Sequence, residues 1–260
     1  MEGWFWRFTD EAAGRVTIVL HGRSRPAPPA RPWSLVAIAR EPGGVTWAIG
    51  DDLIASGDDW LRARLPGDAV EQTWTPDRPW PRRRPFGGLG PGQSVPMLGQ
   101  YWHPHLLRGT TPDGQLVYAE KNWGSVFHDD WWWGQAHLDG ATVAFAGGRL
   151  LGRAPTSIVV ALEDRLLRLV PPLAHVRTAT APGRWRLRAG AVSVEAEADP
   201  ARAHVLPIPV PAERRVRLAS HQHLAGRLAV TVHRRGGIVY RGETLLAGLE
   251  RGSARVRANA

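Results

Sequence analysis

The sequence predicts an all-β protein of two packed antiparallel β-barrel or sandwich domains with little helix, and three observations predict it. Gly and Pro, 29 and 22 in number, make up about a fifth of the 260 residues, and such residues cut elements short and break long helices. Apolar residues recur at every second position in run after run, the period of a half-buried strand. Turn dipeptides separate these runs at the spacing typical of sandwiches and barrels.

In chain order, the first clear run is Gly14 to His21, where Val16, Ile18 and Leu20 alternate with Arg15, Thr17, Val19 and His21. Arg23 to Pro32 follows with four prolines and reads as a loop. Pro42-Gly43-Gly44 marks a turn. Pro76 to Pro96 is too rich in Pro and Gly for a central strand and is the expected domain boundary, giving an N-terminal β-domain over 1–97 and a C-terminal one over 98–260. Beyond it, Tyr118 to Trp123, Trp131 to His137 and the uncharged run Ala154 to Leu162 read as strands. In Arg184-Trp185-Arg186-Leu187-Arg188 the arginines alternate with apolar residues. Val192, Val194 and Ala196 oppose Ser193, Glu195 and Glu197, and Leu228, Val230 and Val232 oppose Arg227, Ala229, Thr231 and His233. Asp113-Gly114, Asp139-Gly140, Gly147-Gly148, Pro182-Gly183 and Gly236-Gly237 supply turns. The best short helical window is Leu245 to Arg251.

A net charge of +9 suits nucleic acid or an anionic membrane only if the basic residues cluster. Outside Arg82-Arg83-Arg84 they are spread along strands, the pattern of solvated faces, so nucleic acid is not an expected partner and peripheral contact with an anionic bilayer is a secondary one. No apolar stretch approaches the roughly 20 residues of a spanning helix, and the start, Met1-Glu2-Gly3-Trp4, lacks the signature of an export signal; the expected location is cytoplasmic. The absence of Cys removes disulfides, iron–sulfur clusters and thiolate zinc sites. His103-Pro104-His105 and His221-Gln222-His223 are H-x-H pairs, but no third ligand stands at a fixed spacing, so no metal is expected. Motifs for nucleotide cofactors or a serine nucleophile are also lacking.

One region concentrates chemistry. Residues 100 to 137 contain Trp102, Trp123, Trp131, Trp132 and Trp133, five of the 13 Trp, with His103, Tyr118, Glu120, Lys121, Asn122, Asp129, Asp130 and Gln135 among them. Lys121 is the only Lys among 33 basic residues, an ammonium kept where Arg is used everywhere else. On strands, Tyr118, Glu120 and Asn122 share one face and Lys121 and Trp123 the other, while Trp131, Trp133, Gln135 and His137 share a face. A few polar groups among aromatic walls suit a large apolar ligand with a polar head. An acid kept protonated by burial can protonate an alkene, and aromatic faces stabilise the resulting cation. Glu120 is the first candidate donor, with Asp129, Asp130 and His103 behind it. The competing reading is a Trp core with charges answering one another.

These residues carry a family likeness. Glu2-Gly3-Trp4-Phe5, then Tyr118-Ala119-Glu120-Lys121-Asn122-Trp123-Gly124 with Trp131-Trp132-Trp133-Gly134-Gln135, then Ala247-Gly248-Leu249-Glu250-Arg251-Gly252 stand in the order of blocks found in the tocopherol cyclase family. The sequence resembles that family of lipocalin-like β-proteins, akin to carotenoid hydratases. It departs from the family in being shorter and in having Phe127-His128 where Phe-Pro is usual. The resemblance implies a lipocalin-like fold and cofactor-independent cyclisation of a prenylated hydroquinone, or a related prenylated aromatic, to a chromanol-type ring. The alternatives are hydration of an isoprenoid alkene, or binding of an isoprenoid without catalysis. It also implies roles: Glu120 donates the proton, Lys121 and Asn122 set its environment or hold the phenol, Trp131 and Trp133 face the cation, and Gln135 orients the head group. Tyr118, Trp102, Trp123 and Trp4 complete the lipophilic binding set.

Overall fold

The computed structural model of the protein describes residues 2–24, 33–81, 86–91, 100–124, 130–149, 152–210 and 215–253. Strands dominate. The first eight are β1 (Glu2–Asp10), β2 (Arg15–Ser24), β3 (Trp33–Glu41), β4 (Val45–Ile49), β5 (Ile54–Ser56), β6 (Trp60–Leu65), β7 (Asp68–Thr73) and β8 (Thr75–Pro79). Then come β9 (Gln100–Thr110), β10 (Leu116–Gly124), β11 (Asp130–Leu138), β12 (Ala141–Gly148), β13 (Thr156–Leu162), β14 (Arg165–Leu169), β15 (Arg177–Ala181), β16 (Arg184–Ala189) and β17 (Val192–Glu197). The last three are β18 (His204–Val210), β19 (Arg215–Arg234) and β20 (Gly237–Ser253). Every pairing between them is antiparallel. No helix among the described residues is long and apolar enough to cross a membrane.

A seven-stranded sheet runs β4-β3-β2-β1-β10-β9-β8, and a larger one runs β14-β13-β12-β11-β20-β19-β17-β16-β15 with β18 also on β19. A small sheet β5-β6-β7 caps the first. The chain passes from the first large sheet to the second between Gly124 and Asp130, so the strands on either side of the Pro/Gly-rich stretch, β8 and β9, are neighbours in one sheet. β8, which contains Pro76 and Pro79, lies at the edge, where a missing N–H costs no ladder bond.

The core has three layers. One face of the first sheet, with Trp6, Phe8, Val19 and Ile38, packs on Leu61, Ala63 and Val70 of the small sheet. One face of the second sheet, with Trp132, Phe145, Val160, Trp185, Val194 and Val230, closes on itself. Between the two large sheets lies the third layer, in which Phe5, Ile18, Trp102 and Tyr118 meet Trp133, Ala144, Val159 and Leu224. The strands feeding this layer are buried on both faces: in β2, Ile18 faces it while Val19 faces the other core. The alternation expected over Gly14 to His21 therefore separates two buried environments.

Three expectations change. Leu245 to Arg251 is strand, because β20 pairs with β11 and β19 along it and Ala247 and Leu249 point into the closed core. Gly147-Gly148 ends β12 without turning; both residues still pair with Trp132 and Trp131. Arginines do line outer faces in β16, whose exposed and buried positions alternate strictly, but Arg7 in β1 is fully buried.

Arg7 shows how the sheets are joined. β19 and β20 slip register three times, twice in close succession between His223/Gly226 and Gly226/Leu228 and again between Val232/His233, and such bulges leave carbonyls outside the ladder. The Arg7 guanidinium donates through Nη2 to Leu224 O at 3.1 Å and to Leu246 O, and through Nη1 to Thr9 Oγ1 at 2.6 Å and Gln135 Oε1 at 3.1 Å. Desolvation lowers its pKa to about 9, which leaves it charged at neutral pH. One side chain of the first sheet thus fills the irregularities of the second.

Candidate active site between the two sheets

β10 carries the central residues from a sealed core toward an open end: Leu116 to Glu120 are buried and Lys121 to Gly124 half-buried. Opposite Glu120, β9 has an extra residue. Ala119 pairs with Leu106 and Lys121 with His103, so Pro104 and His105 together oppose Glu120. This bulge accommodates Pro104, which has no N–H for the ladder, and bulges of this kind re-aim side chains next to functional groups.

The Glu120 carboxyl is the centre of the site. It is 3% exposed. Its Oε2 accepts three hydrogen bonds: from Tyr118 OH at 2.6 Å, Trp102 Nε1 at 2.7 Å and Trp133 Nε1 at 2.9 Å. Its Oε1 accepts one, from Asn122 Nδ2 at 2.9 Å. Burial pushes the carboxyl's pKa up, and the four donors only partly offset that. A proton on this group therefore belongs on Oε1, the oxygen with spare capacity, while Oε2 sits in a ready-made cradle for negative charge. Trp133 meets Phe5 edge-on at 4.9 Å and Tyr118 at 6.2 Å, so the acid is walled by rings.

A second acid stands beside it. On β11, Trp131 and Trp133 share a face; Trp133 donates to Glu120, and Trp131 donates through Nε1 to Glu250 Oε1 at 2.5 Å. Glu250 is the cross-strand partner of Trp133 on one side and of Gln222 on the other. Two glycines flank it on the same face of β20. A Cβ at Gly252 would lie 1.8 Å from Trp131 Cζ2, and one at Gly248 would lie 3.0 Å from Arg7 Nε and 3.1 Å from Trp133 Cζ3. The run Gly248-x-Glu250-x-Gly252 is thus a strand with one acid and two gaps, one filled by the Trp131 indole and the other by the Arg7 and Trp133 side chains. Burial also raises the pKa of the Glu250 carboxyl; the Trp131 indole and Ser220 lower it, and a charged Glu120 raises it further.

The layer also holds polar atoms with no partner. Gln222 is fully buried, and neither its Oε1 nor its Nε2 makes a hydrogen bond; Gln135 Nε2, His137 Nε2 and Arg7 Nε are buried and unpaired as well. Buried amides are normally satisfied, so these atoms carry unmet hydrogen-bonding capacity between the sheets.

The structure divides the predicted residues into groups. Glu120, Tyr118, Asn122, Trp102 and Trp133 converge on one carboxyl. Trp131 and Gln135 line the same layer through Glu250 and Arg7. Lys121, Trp4, Trp123 and His103 assemble on the opposite face of the sheet. Lys121 Nζ lies 4.6 Å from the Trp4 ring centre, 5.7 Å from that of Trp123 and 3.6 Å from Glu2 Oε2; Trp123 stacks on Tyr101 at 4.9 Å, and His103 meets Trp80 edge-on at 5.5 Å. The single ammonium is thus held between indoles with the sheet separating it from the acid. Asp130 is ion-paired with Arg149 at 3.5 Å, apart from these groups, and Asp129 lies outside the described residues. Among the described residues, no three His, Asp or Glu side chains come together as a metal would require. Two surface depressions, of about 630 and 570 Å3, lie elsewhere, one beside Trp60, Trp74 and Thr110 and the other beside Pro182, Arg184 and Pro200.

Local histidines give a prediction of pH dependence. His21 stacks on Trp4 at 4.9 Å and its Nε2 is 2.8 Å from Ser34 Oγ; burial, helped by Arg23, lowers its pKa to about 4. Burial and neighbouring His103 lower His105 to about 4 as well. In the unfolded chain both take a proton near 6.5, so the fold's preference for neutral rings contributes fully above that pH and is lost as pH falls from about 6.5 toward 4. The thermal midpoint is expected to drop across this window, and His21→Gln with His105→Gln to flatten the drop. Equal pH profiles for parent and double variant would contradict it.

No curated protein sequence matches the chain. Its fold is similar to CghA (TM-score 0.63, 13% identity, 100% of this chain and 89% of that chain). It is also similar to a putative AttH from Nitrosomonas europaea (TM-score 0.56, 16% identity, 95% and 91%) and to kievitone hydratase from Nectria haematococca (TM-score 0.53, 12% identity, 97% and 89%). At these identities the likeness is one of fold, a lipocalin-like pair of curled sheets. The family described as Tocopherol cyclase-like matches residues 111–253, more than half of the chain and the whole span from β10 to β20 that builds both acids into one layer. The protein belongs to the tocopherol cyclase-like family.

Proposed function

We propose that the protein is an enzyme that closes a ring on a prenylated aromatic, a hydroquinone or a related phenol, by protonating the alkene nearest the ring without a cofactor. The observation that carries this reading is the Glu120 carboxyl: buried, biased toward the neutral acid, and backed on Oε2 by three donors that stabilise the carboxylate left after the proton goes. Proton transfer from Oε1 to the less substituted alkene carbon generates a tertiary cation. The faces of Trp133 and Tyr118 stabilise it in a water-poor layer, each by up to about 2 kcal/mol. The phenol oxygen then captures the cation. Exposure rises along β10 from Glu120 to Gly124, so a substrate reaches the acid from the Asn122 end, displacing the amide from Oε1, the oxygen that delivers the proton.

Hydration of an isoprenoid alkene is the second reading, supported by the unpaired amides of Gln135 and Gln222, which suit a held water; kievitone hydratase shares the fold. One experiment tests both. Purified protein is incubated with geranyl-substituted trimethylhydroquinone in deuterated water. A chromanol carrying one deuterium on the new aliphatic carbon is the expected product, and a deuterated tertiary alcohol would favour hydration. Binding of the probe without turnover would leave only a carrier.

A further inference from the structure

We propose that Glu250 is a second catalytic carboxylate, the base that takes the proton from the attacking oxygen while Glu120 gives one to the alkene; this rests on the function proposed above. The geometry requires a division of labour. Ring closure forms a C–H bond with the proton of an acid, forms a C–O bond, and releases the phenol O–H proton. The reaction is therefore an isomerisation in which one proton enters the substrate and one leaves it. Glu120 supplies the first and Glu250 accepts the second, and return of that proton to Glu120 resets the pair with no external reagent. A fully buried carboxyl and a half-buried one facing the same layer are suited to this work, because a charge on Glu120 favours the protonated form of Glu250.

Three structural facts place Glu250 in that role. It sits across the strand from Trp133, whose indole donates to Glu120, so one ring separates the two acids. It is oriented by its own indole, Trp131, which lies over Gly252 to reach it. Its other cross-strand neighbour is Gln222, fully buried with both amide atoms unpaired, a donor and an acceptor left for a phenolic head group beside the base. The other groups facing Glu250 are Ser220 of β19 and, across the layer, Glu120 of β10; Arg7 of β1 is the buried cation of the same layer.

Two measurements test the proposal. In 15N-tryptophan-labelled protein the indole N–H signals of Trp131 and Trp133, assigned with the Phe variants, report Glu250 and Glu120 separately. The expected result in the parent is a two-step titration of both signals, and in Glu120→Gln a Trp131 midpoint shifted to lower pH. A single independent step for each indole would overturn the pair; once the two signals are assigned, the titration is read in the unaltered protein, so a Glu120→Gln variant that fails to fold does not block it. In turnover of geranyl-substituted trimethylhydroquinone, Glu250→Gln is expected to lower kcat by about 100-fold or more with KM within about threefold, and Glu250→Asp to restore part of it. An active parent with an unimpaired Glu250→Gln variant overturns the base role and leaves the proposed function standing. A parent inert toward the probe sinks both, even with the titration intact.

Discussion

Replacing Glu120 by Gln is expected to reduce turnover of a prenylated hydroquinone by about 1000-fold, within the range attributed to a positioned general acid, and to remove deuterium incorporation with it. The substitution is mild structurally. Gln has the same shape, its carbonyl oxygen accepts from Trp102, Tyr118 and Trp133 in place of Oε2, and its NH2 takes the place of Oε1, where Asn122 can turn its own carbonyl to meet it. Thermal stability should therefore stay close to that of the parent while chemistry stops. The measurement is kcat by product chromatography alongside a melting curve. A Glu120→Gln variant as active as the parent would reduce the four-donor cradle to an architectural knot and end the enzymatic reading.

Arg7→Met should have the largest effect on stability. Its aliphatic part keeps the packing of the stem, but Leu224 O, Leu246 O and Gln135 Oε1 lose their donor inside the layer between the sheets. A buried polar group left without its partner costs about 1–3 kcal/mol. Two stranded carbonyls alone then cost about 3 kcal/mol or more, partly offset because the methionine no longer carries a charge that must be desolvated. At about 2–4 °C per kcal/mol for a chain of this size, the melting temperature is expected to fall by roughly 6–12 °C. Arg7→Lys should recover little, because one ammonium cannot span the positions that two guanidinium nitrogens fill. A shift under 2 °C in Arg7→Met would show that water satisfies the two carbonyls just as well.

Part of this site is legible in the sequence, because alternation along a single strand is a local property. Tyr118, Glu120 and Asn122 fall on one face and Lys121 and Trp123 on the other by counting alone, and the structure keeps that division. Trp133 follows from the same counting on β11. What counting misses is which strands become neighbours. β1 lies beside β10, with Phe5 across from Glu120, although they are more than 100 residues apart, and β11 lies beside β20. Glu250 stood in a quoted closing motif, but its importance depends on that second pairing. Arg7 carries no signal of its own in the sequence; Phe5 on one face and Trp6 and Phe8 on the other suit a strand buried on both sides, but only the bulges of the distant hairpin around Gly226 explain why a cation belongs there. The helical reading of Leu245 to Arg251 failed for a related reason: the two glycines flanking Glu250 blur the strand period, and their purpose appears only once Trp131 and Arg7 lie over them.

The reach of Arg7 also bears on how the chain folds. Its carbonyl acceptors lie 217 and 239 residues downstream, so the guanidinium of β1 gains these two partners only after the β19–β20 hairpin has been synthesised. A nascent amino-terminal half would carry an unsatisfied guanidinium in its apolar surface, a penalty against docking early onto anything else. High contact order makes for slow folding, and here docking of the two large sheets ties β1 to β19 and β20 across more than 200 residues of chain.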